Sequence, residues 1–244
     1  MIYQDIITKQ AGGRKTLAIL IDPDKVSLNE TSKITDYANQ ANVDFIMIGG
    51  SLINDFIEST IEVIKQHTNI PVIIFPGSIL QISGKADAIL LLSLISGRNS
   101  EYLIGNHVYA APILRKSGIE VISTGYILIG NDSSTSVAYM SGTCPIPGDK
   151  TDIIIATAIA GEMLGHKMIY LEAGSGSGRV VNEQVIREVK DNIQVPLITG
   201  GGIKTGKQAK KVFEAGADMI VIGNAIEQDP EIILSVCEAR DHFK

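Results

Sequence analysis

The chain has 244 residues, of which 45% are hydrophobic and 20% charged, so it can bury a large core and is not expected to be disordered. Its net charge of -6 disfavours a general nucleic-acid surface, and we expect no nucleic-acid partner. Two cysteines, no signal-peptide pattern and no apolar run of membrane-spanning length lead us to expect a cytoplasmic protein without an integral membrane segment.

Apolar runs in the sequence predict eight strands, at 16–21, 44–49, 71–77, 88–93, 120–129, 168–174, 196–202 and 219–224. Most are continuously apolar, as is typical of parallel strands buried on both faces. Amphipathic segments between them predict helices at 29–41, 51–68, 180–192 and 205–216. We therefore predict an α/β fold with one domain, residues 1–244, forming a single (β/α)8 TIM barrel; an open doubly wound sheet is the alternative.

Two connections depart from the regular alternation. Only twelve residues separate Phe75 from Ala88, so we expect the third outer helix to be missing or replaced, which would leave an apolar slot in the barrel wall. The alternative is a tight loop. The segment 130–150, after the fifth strand, is long and rich in Ser, Thr, Gly and Pro, and such loops tend to be functional.

Glycine loops follow the last two strands, "GGGI" at 200–203 and "GN" at 223–224. In a barrel of this type the active site lies at the carboxyl ends of the strands, and the loops after the seventh and eighth strands often bind phosphate through backbone N–H groups. Glycines are also common at such turns without binding anything. The two loops in consecutive units together favour a phosphate site.

The stretch "YLEAGSGSG", 170–178, ends the sixth strand beside those loops. Its spacing excludes the dinucleotide fingerprint, and no P-loop Gly-Lys-Ser/Thr follows. Tyr170 and Glu172 point to the same face of the strand. Glu172 is a candidate general base on a substrate hydroxyl, with a structural hydrogen bond as the alternative.

Across the mouth of the predicted barrel, "LIDPDK" at 20–25 ends the first strand, and "IGGS" at 48–51 ends the second. Asp22, Ser51 and diphosphate oxygens would make a hard-oxygen set suited to Mg²⁺. Asp22 could instead cap a helix. Lys25 and Arg98 could contact anionic oxygens, or each could be a solvated surface charge.

In order along the chain, "LIDPDK", "IGGS", "FPGS", "LLLSLISGRNSEYLIG", "YLEAGSGSG", "GGGI" and "GN" resemble the motifs of the geranylgeranylglyceryl phosphate synthase family. The resemblance covers nearly the whole chain, and "YLEAGSG" with "LIDPDK" is its most specific part. Heptaprenylglyceryl phosphate synthases share the framework but usually have a shorter segment after the fifth strand. The long segment here is similar to the archaeal-type form and favours a C20 substrate.

The resemblance implies a barrel that lacks its third helix and a prenyltransferase that joins sn-glycerol 1-phosphate to a polyprenyl diphosphate, with Mg²⁺, in an ether bond. It places Mg²⁺ at Asp22 and Ser51. It implies a homo-oligomer, a dimer or a hexamer, and this sequence is similar to the hexamer-forming group. It places the glycerol phosphate at Tyr170, Leu171, Glu172, Ala173, Gly174, Ser175, Gly176, Gly201, Gly202, Gly223 and Asn224.

These inferences combine into one mechanistic hypothesis. Glu172 orients and partly deprotonates the C3 hydroxyl of glycerol 1-phosphate, and Mg²⁺ at Asp22 and Ser51 neutralises the prenyl diphosphate. The prenyl tail lies in the slot along 78–83 and the segment after the fifth strand. The same reaction with heptaprenyl diphosphate is an alternative. So is an FMN-dependent TIM-barrel oxidoreductase, which would use similar glycine loops for the flavin phosphate.

Overall fold

Eight parallel strands close into a barrel in sequence order, and the last strand pairs with the first. The computed structural model describes residues 1–53, 57–130, 135–174 and 178–243. The strands are β1 (Thr16–Ile21), β2 (Phe45–Ile48), β3 (Val72–Ile74), β4 (Ala88–Leu94), β5 (Glu120–Leu128), β6 (Met168–Glu172), β7 (Leu197–Gly200) and β8 (Met219–Ile222). All eight predicted strands and the (β/α)8 barrel are confirmed.

Helices occupy most of the connections between strands, and the four predicted ones are present. They are α1 (Ile2–Ala11), α2 (Leu28–Gln40), α3 (Ile57–His67), α4 (Asn106–Ser117), α5 (Ser136–Ser141), α6 (Thr151–Met163), α7 (Glu183–Asn192), α8 (Gly206–Glu214), α9 (Asn224–Gln228) and α10 (Ile232–Asp241). The helix predicted at 51–68 was placed too early. Residues 51–53 are not helical, and 54–56 lie outside the described residues.

Side chains alternate between the barrel interior and the surrounding helices along each strand, as the period of two requires. On β6, Tyr170 packs inside the barrel, whereas Leu171 packs among the side chains between the strands and the helices. The register pairs Tyr126 of β5 with Tyr170. The two tyrosine side chains therefore lie at the same level inside the barrel, directly below its carboxyl end.

The third outer helix is absent, as predicted. Between β3 and β4 the chain makes only a short 3₁₀ turn, Ile79–Gln81. The buried Gln81 side chain donates to the Gly50 carbonyl at 2.8 Å and accepts from the Gly77 N–H at 2.9 Å, which ties the turn to the loop after β2. Without a helix above β4, Leu91 is only partly buried, and an apolar opening remains in the wall.

The opposite end of the barrel is closed by α1, whose buried Ile6 packs against the interior cluster. Charged groups fix that end. Asp44 binds Lys9 at 2.9 Å and the buried Arg240 of α10 at 2.8 Å. In TIM barrels this end carries stability rather than chemistry. Among the described residues, no helix has both the length and the apolar character that crossing a bilayer requires.

Candidate functional site

A cavity of about 720 Å³ opens at the carboxyl ends of the strands and extends sideways into the slot left by the missing helix. Its size is typical of ligand pockets. It brings together nine of the residues singled out in the sequence, namely Asp22, Lys25, Ser51, Tyr170, Glu172, Gly201, Gly202, Gly223 and Asn224. Residues from five strand ends thus meet around one space.

Glu172 is the last residue of β6, and its side chain is buried, with 6% of the residue exposed. One carboxylate oxygen accepts a 2.7 Å hydrogen bond from the Gly174 N–H. The hydroxyls of Tyr126 and Tyr170 stabilise the ionised form of the same carboxylate. The carboxylate therefore faces the cavity with one backbone donor and two tyrosine hydroxyls acting on it.

Burial raises the pKa of Glu172 to about 7, and the Gly174 N–H and the two tyrosine hydroxyls oppose that rise only in part. Burial and the neighbouring carboxylate hold the pKa of Tyr126 and of Tyr170 well above 10, so both tyrosines remain hydroxyl donors. A carboxyl group with a pKa near 7 can gain or lose a proton at neutral pH. This is the property that a general base needs.

Tyr126 was not singled out in the sequence. Its ring lies 5.3 Å from that of Tyr170 and 6.0 Å from that of Phe75, centroid to centroid, so three aromatic rings floor the cavity below Glu172. One signal was available. Tyr126 occupies an inward position of β5, and closing the barrel pairs it with Tyr170 on β6.

The glycine loops adopt backbone conformations that favour glycine. Gly174, Gly201 and Gly202 have φ of 102°, 85° and 74°. A Cβ on Gly202 would overlap the Arg179 carbonyl, and a Cβ on Gly174 would lie 2.5 Å from the Thr135 side chain. A side chain at Gly174 or Gly202 would thus overlap neighbouring protein atoms. The loops leave room for a ligand only because they carry no side chains.

Four further predicted residues belong to β6 or follow it in the sequence. The Leu171 side chain is buried among the helix-facing residues and does not line the cavity. The Ala173 N–H donates to the Gly200 carbonyl at 3.1 Å, which leaves that N–H paired. Ser175 and Gly176 lie outside the described residues.

Gly201→Ala tests the glycine loops. A Cβ there would lie 2.5 Å from a carboxylate oxygen of Glu172, on a backbone with φ of 85°. If these loops hold the glycerol phosphate that the sequence leads us to expect, its affinity, measured by calorimetry, should fall by about tenfold or more. Gly178→Ala is the control, because a Cβ at Gly178 would have no neighbour within 4 Å among the described residues. Equal affinities of the two variants would contradict a role for the Gly201 turn.

The slot is lined mainly by apolar side chains from β4, α4 and the 3₁₀ turn, namely Ile79, Ile82, Ile89, Leu91, Ala110 and Leu114. His107, on α4, lines the same wall and lies 3.1 Å from the Ser93 hydroxyl through its Nε2. Ser78 belongs to the lining, as do Ser136, Val137, Tyr139 and Met140 of the segment after β5. The slot continues directly from the Glu172 carboxylate, so one elongated apolar group could occupy it.

The residues at Asp22 fit a hard divalent cation. The carboxylate accepts from the Asp24 N–H at 3.2 Å and from the Lys25 ammonium at 3.1 Å. A Cβ on Gly50 would lie 2.8 Å from it, so the Gly50 backbone, next to Ser51, makes the space that the carboxylate fills. A carboxylate and a hydroxyl beside a glycine loop suit Mg²⁺, which commonly keeps one or two protein carboxylates and takes its other ligands from phosphates and water.

Across the described ranges no cluster of three or more His, Cys, Asp or Glu has a metal-binding arrangement. A cation at Asp22 would therefore take most of its oxygen ligands from water or from a substrate. Arg98 is exposed, and its guanidinium donates to the carbonyls of Ile95 and Gly97. It does not line the cavity, whereas Lys25 and Glu227 do. Glu227, on α9, is a further acid at the mouth that the sequence did not single out.

Comparison with known proteins places this geometry in context. The model of the PcrB family matches residues 10–240. A relative from Spirosoma linguale, named geranylgeranylglyceryl phosphate synthase, is 50% identical over 222 residues, which cover 91% of this chain and 89% of the relative. A protein of the same name from Pyrococcus horikoshii is 42% identical over 217 residues, 88% of this chain and 85% of the relative.

A solved structure gives the same result in three dimensions. The (S)-3-O-geranylgeranylglyceryl phosphate synthase of Thermoplasma acidophilum, in complex with sn-glycerol-1-phosphate, superposes with a TM-score of 0.94 at 38% identity. The match covers 99% of each chain. The likeness therefore extends over the barrel, the glycine loops and the connection without a third helix.

Proposed function

The chain belongs to the PcrB family, and on that premise we propose that it is a prenyltransferase joining sn-glycerol 1-phosphate to geranylgeranyl diphosphate. The products are 3-O-geranylgeranyl-sn-glyceryl 1-phosphate and diphosphate. The single observation that carries the proposal is the position of Glu172. Its buried carboxylate lies between glycine loops suited to a phosphate and a slot suited to a prenyl tail. The relatives from Spirosoma linguale and Pyrococcus horikoshii both bear the synthase name, which favours this function over an FMN-dependent oxidoreductase.

The polar half of the cavity suits glycerol phosphate. Gly201 and Gly202 on one loop and Gly223 and Asn224 on the next surround the space above Glu172. We assign the phosphate to the backbone N–H groups of these loops and of the loop that begins at Gly174. The C3 hydroxyl would then lie at the Glu172 carboxylate.

The apolar half suits the prenyl tail. Burying a C20 chain contributes on the order of 10 kcal/mol before ordering costs, at about 0.8 kcal/mol per CH₂. The slot alone can therefore account for tight binding. We assign the tail to the lining between β4 and α4, with the diphosphate toward Asp22 and Ser51.

The reaction forms one carbon–oxygen bond and breaks another. The C3 hydroxyl oxygen attacks C1 of the allylic chain, the bond from C1 to the diphosphate oxygen breaks, and the hydroxyl proton passes to Glu172. Tyr126 and Tyr170 hold the carboxylate toward that hydroxyl. Asp22 and Ser51 would hold Mg²⁺, which neutralises diphosphate charge and makes it a better leaving group.

A substrate series tests the proposed function. The purified protein is supplied with labelled sn-glycerol 1-phosphate, Mg²⁺ and the C15, C20 or C35 diphosphate, and the lipid product is identified by mass. We expect C20 to give the highest kcat/KM and the sn-glycerol 3-phosphate enantiomer to react poorly. A preference for C35 would assign the heptaprenyl reaction instead, and a yellow protein that makes no lipid product would favour the flavin alternative.

Tyr126→Phe tests the hydrogen bonds to Glu172. The Tyr126 hydroxyl stabilises the ionised carboxylate, so its removal should move the pKa of Glu172 above about 7. We expect the acidic limb of kcat/KM to move to higher pH, with a loss of about tenfold at pH 6 and a smaller loss at pH 9. Tyr37→Phe is the control, because Tyr37 donates to Glu231 on the outside of the barrel. If the acidic limb of kcat/KM stays at the same pH, Tyr126 does not influence the proton transfer.

We further propose a homo-oligomer of one-domain subunits, residues 1–244, in the cytoplasm. Support comes from an apolar stripe on and beside α4, in which Ile104, Val108, Tyr109 and Ile113 are 52–66% exposed. Val108→Lys should lower the mass measured by light scattering, because it places a charge in that stripe. Leu28→Lys, on α2, is the control and should leave the mass unchanged. A wild-type protein of 26.1 kDa in solution would contradict the assembly.

A further inference from the structure

Lys25 lies between two acids at the mouth of the cavity. Its ammonium is 3.1 Å from a carboxylate oxygen of Asp22 and 3.7 Å from one of Glu227. The two carboxylates are largely buried, with side-chain exposures of 12% and 15%, whereas the Lys25 side chain is 45% exposed. All three residues line the cavity beside Gly223 and Asn224. The flexible member of the cluster is therefore the cation.

The same Asp22 oxygen cannot serve the ammonium and a divalent cation together. Mg²⁺ takes its oxygen ligands at about 2.0–2.1 Å, and a second positive charge on that carboxylate would repel it. A metal that binds the oxygen nearest Lys25 would therefore displace the ammonium. Lysine has a flexible four-carbon stem, so it can move without displacing the backbone.

Glu227 provides the nearest described acceptor for that movement. Burial raises the pKa of Glu227 and the Asp22 charge raises it further, whereas the Lys25 charge lowers it. The three groups are thus electrostatically coupled. If the ammonium withdraws from Asp22, closer pairing with Glu227 compensates both charges.

We propose that Lys25 occupies the cation position at Asp22 until a divalent metal binds, and that Glu227 is the positioning residue that then receives the Lys25 ammonium. The inference rests on the metal site in the proposed function. It adds a role for Glu227 and explains why a lysine lies against a metal-binding carboxylate. Displaced toward Glu227, the ammonium stays at the cavity mouth, where the diphosphate would leave.

The test measures metal binding without substrate or turnover. Mn²⁺ serves as the probe, and its free concentration is followed by electron paramagnetic resonance with the wild type, Lys25→Met, Glu227→Gln and the double variant. We expect Lys25→Met to tighten Mn²⁺ binding by about fivefold, because the competing ammonium is gone. Lys25→Gln should agree with it. Lys204→Met, which removes an exposed cation elsewhere on the cavity rim, should change the affinity by less than about twofold.

The double variant separates the proposal from its main alternative. If Glu227 acts by receiving Lys25, Glu227→Gln weakens Mn²⁺ binding by about fivefold when Lys25 is present and clearly less in the Lys25→Met background. If Glu227 is itself a metal ligand, its loss in that background is as large or larger, and the proposal is overturned. Unchanged or weaker binding in Lys25→Met overturns it as well.

The variant Asp22→Asn shows whether the metal binds at Asp22 at all, separately from the roles proposed for Lys25 and Glu227. If Asp22→Asn binds Mn²⁺ as tightly as the wild type, the metal does not bind at Asp22. The proposal for Lys25 and Glu227 is then overturned as well. The product assay decides the proposed function separately, because a protein that forms the C20 ether lipid keeps that function whatever the Lys25 and Glu227 variants show.

Discussion

Glu172→Gln should reduce kcat by on the order of 10³-fold while leaving the dissociation constant for glycerol 1-phosphate within a few-fold of the wild type. Glutamine has nearly the same shape and can still accept from the Gly174 N–H. It cannot take the hydroxyl proton. Turnover is measured from labelled product and binding by calorimetry. Glu183→Gln, an exposed acid on α7 paired with Lys211, is the control and should retain full activity.

The same substitution should make the protein more stable at alkaline pH. Glu172 has a pKa of about 7 when folded and a usual value of 4.5, so the folded state holds the extra proton between these values. The contribution of Glu172 to the stability of the wild type is therefore most favourable below pH 4.5 and becomes less favourable as pH rises through about 7. At pH 8 Glu172→Gln removes a cost of up to about 3 kcal/mol. Chemical denaturation at pH 5 and at pH 8 measures it.

Two outcomes would contradict this account of Glu172. Turnover within tenfold of the wild type would exclude it as the base. Equal gains in stability at both pH values would show that the carboxyl does not titrate near neutrality. If Glu172→Gln loses activity and is more stable at pH 8, the buried carboxyl of Glu172 serves catalysis at a cost in stability.

Asp22→Asn should reduce kcat by on the order of 100-fold and raise the Mg²⁺ concentration needed for half-maximal activity. Asparagine keeps one oxygen acceptor but loses the charge that holds a divalent cation and the Lys25 ammonium. Rates are measured over a Mg²⁺ titration at saturating substrates. Glycerol phosphate binding should change less than the Mg²⁺ dependence, because the backbone N–H groups of the glycine loops are left in place by this substitution.

Asp36→Asn is the matched control, since Asp36 is an exposed acid on α2. Its activity and Mg²⁺ dependence should equal those of the wild type. If Asp22→Asn has the same Mg²⁺ dependence as Asp36→Asn, the metal is bound elsewhere and the assignment to Asp22 and Ser51 fails.

The barrel could be predicted because its strands carry a signal of their own. Runs such as "TLAILI" and "AILLLS" are buried on both faces, so continuous apolar sequence marks them directly. Strand order then follows from strand and helix alternating with short connections. The missing third helix could be predicted because twelve residues cannot contain two loops and a full helix.

Several helices had weaker signals. The helix α6 has the sequence "TDIIIATAIAGEM", which is apolar on most sides and has almost no amphipathic pattern. The helix α4 contains Pro112 and follows a π-helical turn at Glu101–Gly105, so its periodicity is broken. The helix α1 closes the bottom of the barrel through Ile6. This is a tertiary contact that a single sequence does not reveal.

The site could be predicted where chemistry and position coincide in the sequence, as at Glu172 and Asp22 at the ends of apolar runs. Tyr126 was missed because its role depends on the register between β5 and β6. Glu227 was missed because only the folding of α9 brings it within 3.7 Å of the Lys25 ammonium. Both positions depend on pairings between elements.

A single-turnover experiment tests the central claim most directly. The enzyme is loaded with labelled sn-glycerol 1-phosphate, mixed with geranylgeranyl diphosphate and Mg²⁺, and quenched at intervals. The account predicts close to one equivalent of labelled C20 ether lipid per active site, formed with a rate that rises with pH through about 7 and that is lost in Glu172→Gln. Tight binding of glycerol phosphate without any labelled lipid would contradict it.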